Sequence, residues 1–232
     1  MPVMLSFFVI PMMLFLVGCS ESTVHSASTL DTEGSIEFQM DAWADNWFAV
    51  YSGETLLAED SVPITTERSF NTETLRFRGD YPLHLNFILK DFKENDSGLE
   101  YIGTPRQQMG DGGFIMQLTD LRSNRIVAVS GADWVCSVIQ TAPLDAACAD
   151  ESNPAAGVAP CTFISRPEPD GWKRPEFDDH DWTAATVHAR AAVGPKGGYD
   201  RIDWDAQAKF IWGPDLKKDN TVLCRLTIQK PD

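Results

Sequence analysis

The sequence predicts an all-β chain folded as one antiparallel β-sandwich, and three observations predict it. The first is the stretch 110–134, GDGGFIMQLTDLRSNRIVAVSGADW. Phe114, Met116 and Leu118 alternate with Ile115, Gln117 and Thr119, a polar break holding Ser123 and Asn124 follows, and 126–129 returns as a β-branched run before Gly131 and Trp134. Period-two alternation, a turn signal and a return strand read as a hairpin, with Trp134 expected to close over the end of the sheet. The second observation is that helical periodicity is nearly absent. The third is that Gly, Pro, Asn and Asp punctuate short apolar runs throughout, an all-β pattern.

Taken in order, 35–43 alternates Ile36, Phe38 and Met40 and predicts a strand. A second strand over 45–51, a turn at 52–54 and a return over 55–58 follow, then a loop over 59–68. Strands are expected at 72–78 and 81–92, the latter alternating Leu83, Leu85, Phe87 and Leu89. The segment 93–111, KENDSGLEYIGTPRQQMGD, reads as a long polar loop, and loops of that length inside compact domains are usually functional or disordered. Beyond the hairpin, strands are expected at 137–141, 162–165, 207–212 and 221–228.

Three stretches carry a resemblance. ADNWFAVYSGETLLAED, the glycine-led hairpin ending in Trp134, and Trp172 with Phe177, Asp178, Asp179 and Trp182 in GWKRPEFDDHDW resemble, in the same order, elements of galactose-binding-like jelly-roll domains. Those domains serve as accessory modules of glycoside hydrolases. The resemblance implies a single jelly-roll sandwich over 35–232, binding of carbohydrate or another extracellular ligand without catalysis, and a structural calcium ion; a glycan-active enzyme and a purely structural or adhesion module are the alternatives. It implies that Asp178 and Asp179 form a turn while the tryptophan packs the core.

Residues 1–18, MPVMLSFFVIPMMLFLVG, carry no charged side chain and read as a secretory signal, too short for a comfortable membrane span. Leu16-Val17-Gly18-Cys19 resembles the bacterial lipobox, which implies cleavage before Cys19 and a lipid on it. Ser20 at the next position implies the outer membrane. Two or more acyl chains would anchor the protein stably. Residues 19–34 are polar and aperiodic and read as a flexible tether.

The formal net charge of −15 falls entirely on the chain after residue 18. Nucleic acid and anionic lipid both need a basic patch, so neither is an expected partner. Apart from Cys19 the cysteines are Cys136, Cys148, Cys161 and Cys224. An even count in an exported chain predicts two disulfides. Of three connectivities the simplest closes Cys148 to Cys161 locally and ties Cys136 to Cys224. Zinc spacing is missing.

No GxSxG, HExxH, P-loop or GxGxxG motif occurs. His180 and His188 lie near Asp178, Asp179 and Asp181 in sequence, which leaves a metal or acid/base cluster to weigh against the turn. Abundant carboxylates leave a glycosidase-type pair open. Calcium is the better metal: Asp91, Glu94, Asn95 and Asp96 gather after a strand, with Gly98 permitting a tight turn, and hard oxygen donors suit Ca²⁺. An ordinary solvated acidic loop is the competing reading. A sugar site needs a flat aromatic and a few fixed polar groups. Trp47, Tyr101, Trp204 and Trp212 offer the aromatic, and Arg106, Gln107 and Gln108 the polar partners. Trp43, Trp134 and Trp182 read as core.

Overall fold

In the computed structural model the described residues are 28–30 and 32–231. The expected signal peptide, Cys19 and most of the tether lie outside them. The strands are β1 (Ser28–Thr29), β2 (Ile36–Asp45), β3 (Trp47–Ser52), β4 (Thr55–Glu59), β5 (Thr72–Gly79) and β6 (Leu83–Lys90). Then come β7 (Leu99–Glu100), β8 (Gln108–Met109), β9 (Gly113–Asp120), β10 (Arg125–Val129) and β11 (Val135–Thr141). The last are β12 (Ile164–Ser165), β13 (Thr183–Ala184), β14 (Thr186–His188), β15 (Phe210–Trp212) and β16 (Asp219–Ile228), with one short helix, α1 (Arg190–Val193), before β15.

Two sheets form the sandwich. One runs β1-β5-β2-β9-β15-β14 with β10 beside β9; the other runs β12-β11-β16-β6-β3-β4 with β13 beside β11. All pairings are antiparallel except β1 with β5. The antiparallel sandwich expected from the sequence is therefore what the chain forms. From β2 to β11 the long strands alternate between the sheets in chain order, β2, β5 and β9 in one and β3, β6 and β11 in the other, and β16 joins the second beside β11.

The alternation explains the core. Phe38, Met40, Ala42 and Ala44 of β2 and Phe114, Met116 and Leu118 of β9 face Phe48, Val50, Leu85, Phe87, Leu89, Val222 and Cys224 of the other sheet. Trp134 does close over the hairpin. It is fully buried against Phe87 and Phe114, and its Nε1 donates to Val129 O at 2.9 Å. The hairpin itself carries a bulge between Ile126 and Ala128.

Each sheet also has an apolar outer face, and a return segment covers each. Trp43 and Ile115 pack under Val193, Tyr199, Phe210 and the half-buried Trp204. Ala49, Ile88 and Leu223 pack under Trp172, with Trp47, Phe177 and Trp182 around it. Trp182 thus packs on the outside of a sheet, half-exposed, and not in the main core. The buried Arg225 of β16 fastens this cover: it donates to Phe177 O at 3.2 Å, to Arg174 O at 2.8 Å and to the Asp179 carboxylate. Asp178 accepts from the His180 backbone N–H, as a turn-forming Asp does.

The strands expected at 162–165 and 207–212 shrink to β12 and β15, β13 and β14 are additional, and three further differences have a clear cause. The strand expected over 81–92 is shorter at both ends: Pro82 has no N–H to donate, and Phe92 N–H turns aside to Asn46 Oδ1. The loop 93–111 contains the two-residue pair β7–β8, too short to show any alternation. The near end of the tether is not free: β1 pairs with β5 and Thr32 Oγ1 donates to Arg78 O at 3.0 Å, which satisfies an otherwise open sheet edge.

Both disulfides have the expected pairing, Cys136–Cys224 and Cys148–Cys161. Cys136 and Cys224 sit directly opposite each other on β11 and β16. The first bond spans 88 residues and the second 13. On loop-closure grounds, Cys136→Ala with Cys224→Ala should cost about 4–5 kcal/mol, against about 3 kcal/mol for Cys148→Ala with Cys161→Ala. Urea unfolding of the two double variants checks the order.

Candidate functional site

Two places in the fold combine chemistry-bearing side chains. The first is an acidic pit where four chain segments meet at one end of the sandwich. Asp45 ends β2 and pairs in register with Gly113 of β9. Asp91 directly follows β6, its backbone N–H donating to Asn220 O at 3.0 Å. Continuing the inward parity of Leu85, Phe87 and Leu89 puts Asp91 on the core face. Glu100 lies in β7, and Asp111 stands two residues before β9. Asp91, Glu100 and Asp111 each present an oxygen within 4.8 Å of the others.

The backbone is shaped to hold this pit. A Cβ on Gly110 would lie 1.6 Å from Asp91 Oδ2, so only glycine lets the carboxylate stay there. A Cβ on Gly112 would strike the Trp212 indole at 2.4 Å. Gln108 Nε2 donates to Glu100 Oε2 at 2.9 Å and orients it. Lys196 Nζ lies 3.5 Å from Asp111 Oδ2 at the rim.

Burial dominates the electrostatics. Asp45, Asp91 and Glu100 are 0%, 2% and 1% exposed. Burial, then the nearby Asp111 carboxylate, pushes Asp45 up to about 8. Burial, then Asp45, Glu100 and Asp111, raises Asp91 well above the carboxylate range. Burial pushes Glu100 up to about 7 against the pull of the Gln108 amide. Burial alone would depress Lys196, but the Asp111 and Asp45 charges leave it above its ordinary value. A set of oxygen donors this crowded and this dry can share protons or hold a cation.

The second place is a cleft of about 520 Å³ on the outer face of the β9 sheet. Tyr199, Trp204 and Phe210 wall it, with Arg190, Asp205 and Lys209 at its edges. Trp204 stacks on Tyr199 at 5.6 Å and Tyr199 on Phe210 at 5.4 Å. Trp204 Nε1 donates to Tyr199 O at 2.9 Å, and the Arg190 guanidinium lies 4.6 Å above the Tyr199 ring. The half-buried Trp204 is the aromatic left with surface to offer.

The sequence-predicted site residues fall in several places. Of the calcium set, only Asp91 is in the pit. Glu94 accepts from Ile102 N–H, Asn95 accepts from Ser97 N–H, and Asp96 pairs with Lys93 at 2.5 Å and accepts from Gln140. Those three build the loop and are exposed. Of the ligand set, Tyr101 and Arg106 do come together, but Arg106 stacks on the ring at 4.0 Å and covers that face. Gln107 Nε2 spends its donors on Ala149 O and Glu151 O, tying the loop to the Cys148–Cys161 segment. Gln108 serves Glu100. Trp47 belongs to the outer cover of the other sheet, with Lys90 4.9 Å above its ring. Trp212 is fully buried and donates to Asp219 O. His180 is held between Asp178 and Asp181 on the surface, and His188 Nε2 lies 2.9 Å from Gly213 O.

No known protein family matches the chain, and no curated protein or solved structure matches it.

Gly110→Ala should force Asp91 out of its place. The expected cost is about 1–3 kcal/mol, as for overpacking elsewhere, read as a lower urea midpoint; an unchanged midpoint would mean the glycine is incidental.

Proposed function

We propose that the chain is an exported, lipid-anchored, non-catalytic binding module that takes carbohydrate through its β-sandwich. The observation that carries this reading is the aromatic cleft. Its volume lies in the range of small-ligand sites, about 300–1,000 Å³, and a half-buried indole beside Arg190, Asp205 and Lys209 is the combination a sugar ring needs. The cleft takes over the role that the sequence assigned to Tyr101 and Arg106, because Arg106 already occupies the tyrosine face. The galactose-binding-like resemblance of the three stretches supports the same reading. A hydrolytic role is disfavoured because three of the four pit carboxylates are sealed from solvent, so a glycosidic bond has no path to them.

The lipobox at residues 16–19 and the polar tether support anchoring through Cys19 in the outer membrane. The acidic surface keeps the module off anionic lipid and nucleic acid.

A glycan array probed with the chain from residue 20 onward tests the binding claim. At least one glycan should be retained, and Trp204→Ala should weaken that signal at least tenfold without moving the melting temperature by more than a few degrees. An array with no retained glycan overturns the carbohydrate reading; a retained glycan indifferent to Trp204→Ala overturns the placement.

A further inference from the structure

The pit has a property beyond its charge. Both oxygens of Asp45, both oxygens of Asp91 and Oε1 of Glu100 are buried with no hydrogen-bond partner. Both side-chain polar atoms of Asn220, which is fully buried opposite Asp91, are unpartnered as well. Buried polar groups in native proteins are nearly always paired, and an unpaired buried carboxylate is among the costliest arrangements available. Elsewhere only single atoms are left over, on Asp60, Asn71, Thr72 and Ser97, while other buried carboxylates are paired: Asp41 accepts from Thr74 and Gln117, and Asp120 from Tyr81, Arg122 and Ser123. Seven of the eleven unpaired atoms belong to residues where β2 and β6 end and β16 begins, or to Glu100 of β7.

We propose that this pit is a calcium site, with Asp91, Glu100 and Asp111 as the carboxylate ligands and with the unpartnered Asp45 and Asn220 as the polar groups next to Asp91. Three clustered carboxylates and the nearby Asp45 face the ammonium of Lys196, which reaches only the rim at Asp111. A divalent ion supplies the missing positive charge and the missing partners together. The donors are all oxygen. The four cysteines 136, 148, 161 and 224 are locked in disulfides, and no histidine belongs to the cluster, so the chemistry is that of a hard cation and not zinc. The spacing is compatible: oxygens on opposite sides of an ion with bonds of about 2.4 Å stand about 4.8 Å apart, and these three lie within that distance of one another. Calcium is preferred to magnesium because magnesium usually keeps several waters and is seldom held by an all-protein cage.

The ion would join segments that the backbone leaves separate. Asp91 and Asp111 bracket the loop and Glu100 sits at its middle, so one ion ties the end of β6, β7 and the approach to β9 together. Lys196 is half-exposed and can leave Asp111 when the ion arrives. It is therefore a competing counter-ion, not a ligand.

Titration of the chelator-treated chain from residue 20 onward with CaCl₂, followed by calorimetry and thermal melting, tests the assignment. Wild type should bind one Ca²⁺ with a rise in melting temperature, and more tightly than Mg²⁺. Asp91→Asn and Glu100→Gln should abolish both the heat and the rise. Lys196→Gln should tighten calcium binding by roughly two- to fivefold, as expected for removing one partly exposed competing charge, a gain that misfolding cannot imitate. Absence of heat and of a melting shift in wild type at millimolar calcium overturns the site. Equal affinity for Mg²⁺ overturns its calcium character, and unchanged affinity in Lys196→Gln overturns the role given to that lysine.

Discussion

The constraint on which the loop end of this sandwich depends is the desolvation of carboxylates. Asp45, Asp91 and Glu100 are sealed at the edge of the core with Asp111 close by. Their mutual repulsion would push the ends of β2 and β6 and the start of β9 apart unless something answers it. Protons can answer it: burial first, and neighbouring carboxylates after it, raise the pKa of Asp45, Asp91 and Glu100. A cation answers it better near neutral pH, because it meets several oxygens at once. Gly110 and Gln108 make sense only against this background: one leaves room for Asp91, the other steers Glu100.

Away from that end the architecture follows from apolar burial. Period-two alternation gives each long strand one core face, but the strands of this chain carry apolar residues on the outer face as well. Trp43 and Ile115 on one sheet, and Ala49, Ile88 and Leu223 on the other, had to be covered. The irregular segments 166–182 and 189–208 supply the covers. They therefore act as structural layers, and the aromatic cleft is the seam where one cover meets its sheet.

The strands were legible in the sequence because alternation is a local signal. Phe38-Met40 and Phe114-Met116-Leu118 need no partner to reveal their inner face. The disulfide pairing was legible because a short Pro/Ala/Gly segment separates Cys148 from Cys161. The pit was not legible, because Asp45, Asp91 and Asp111 become neighbours only through the register of β2 with β9 and the hydrogen bond from Asp91 to β16. The crowded carboxylates at 91–96 drew attention to the right strand end, but Glu94, Asn95 and Asp96 found nearer partners. One signal was available: Asp91 continues the inward parity of Leu85, Phe87 and Leu89, a charge where the pattern calls for an apolar side chain. Arg106 on Tyr101 was illegible for the opposite reason, since the backbone of Tyr101, at a φ of 52°, turns the loop back on itself.

The most direct test of the account is the metal content of the folded chain. Native mass spectrometry of protein purified without chelator and exchanged into volatile buffer with micromolar calcium should show one Ca²⁺ per chain, lost in Asp91→Asn. A chain that carries no ion, keeps its melting temperature in EDTA and is indifferent to Asp91→Asn would contradict it, and would mean that protons alone hold the carboxylates together.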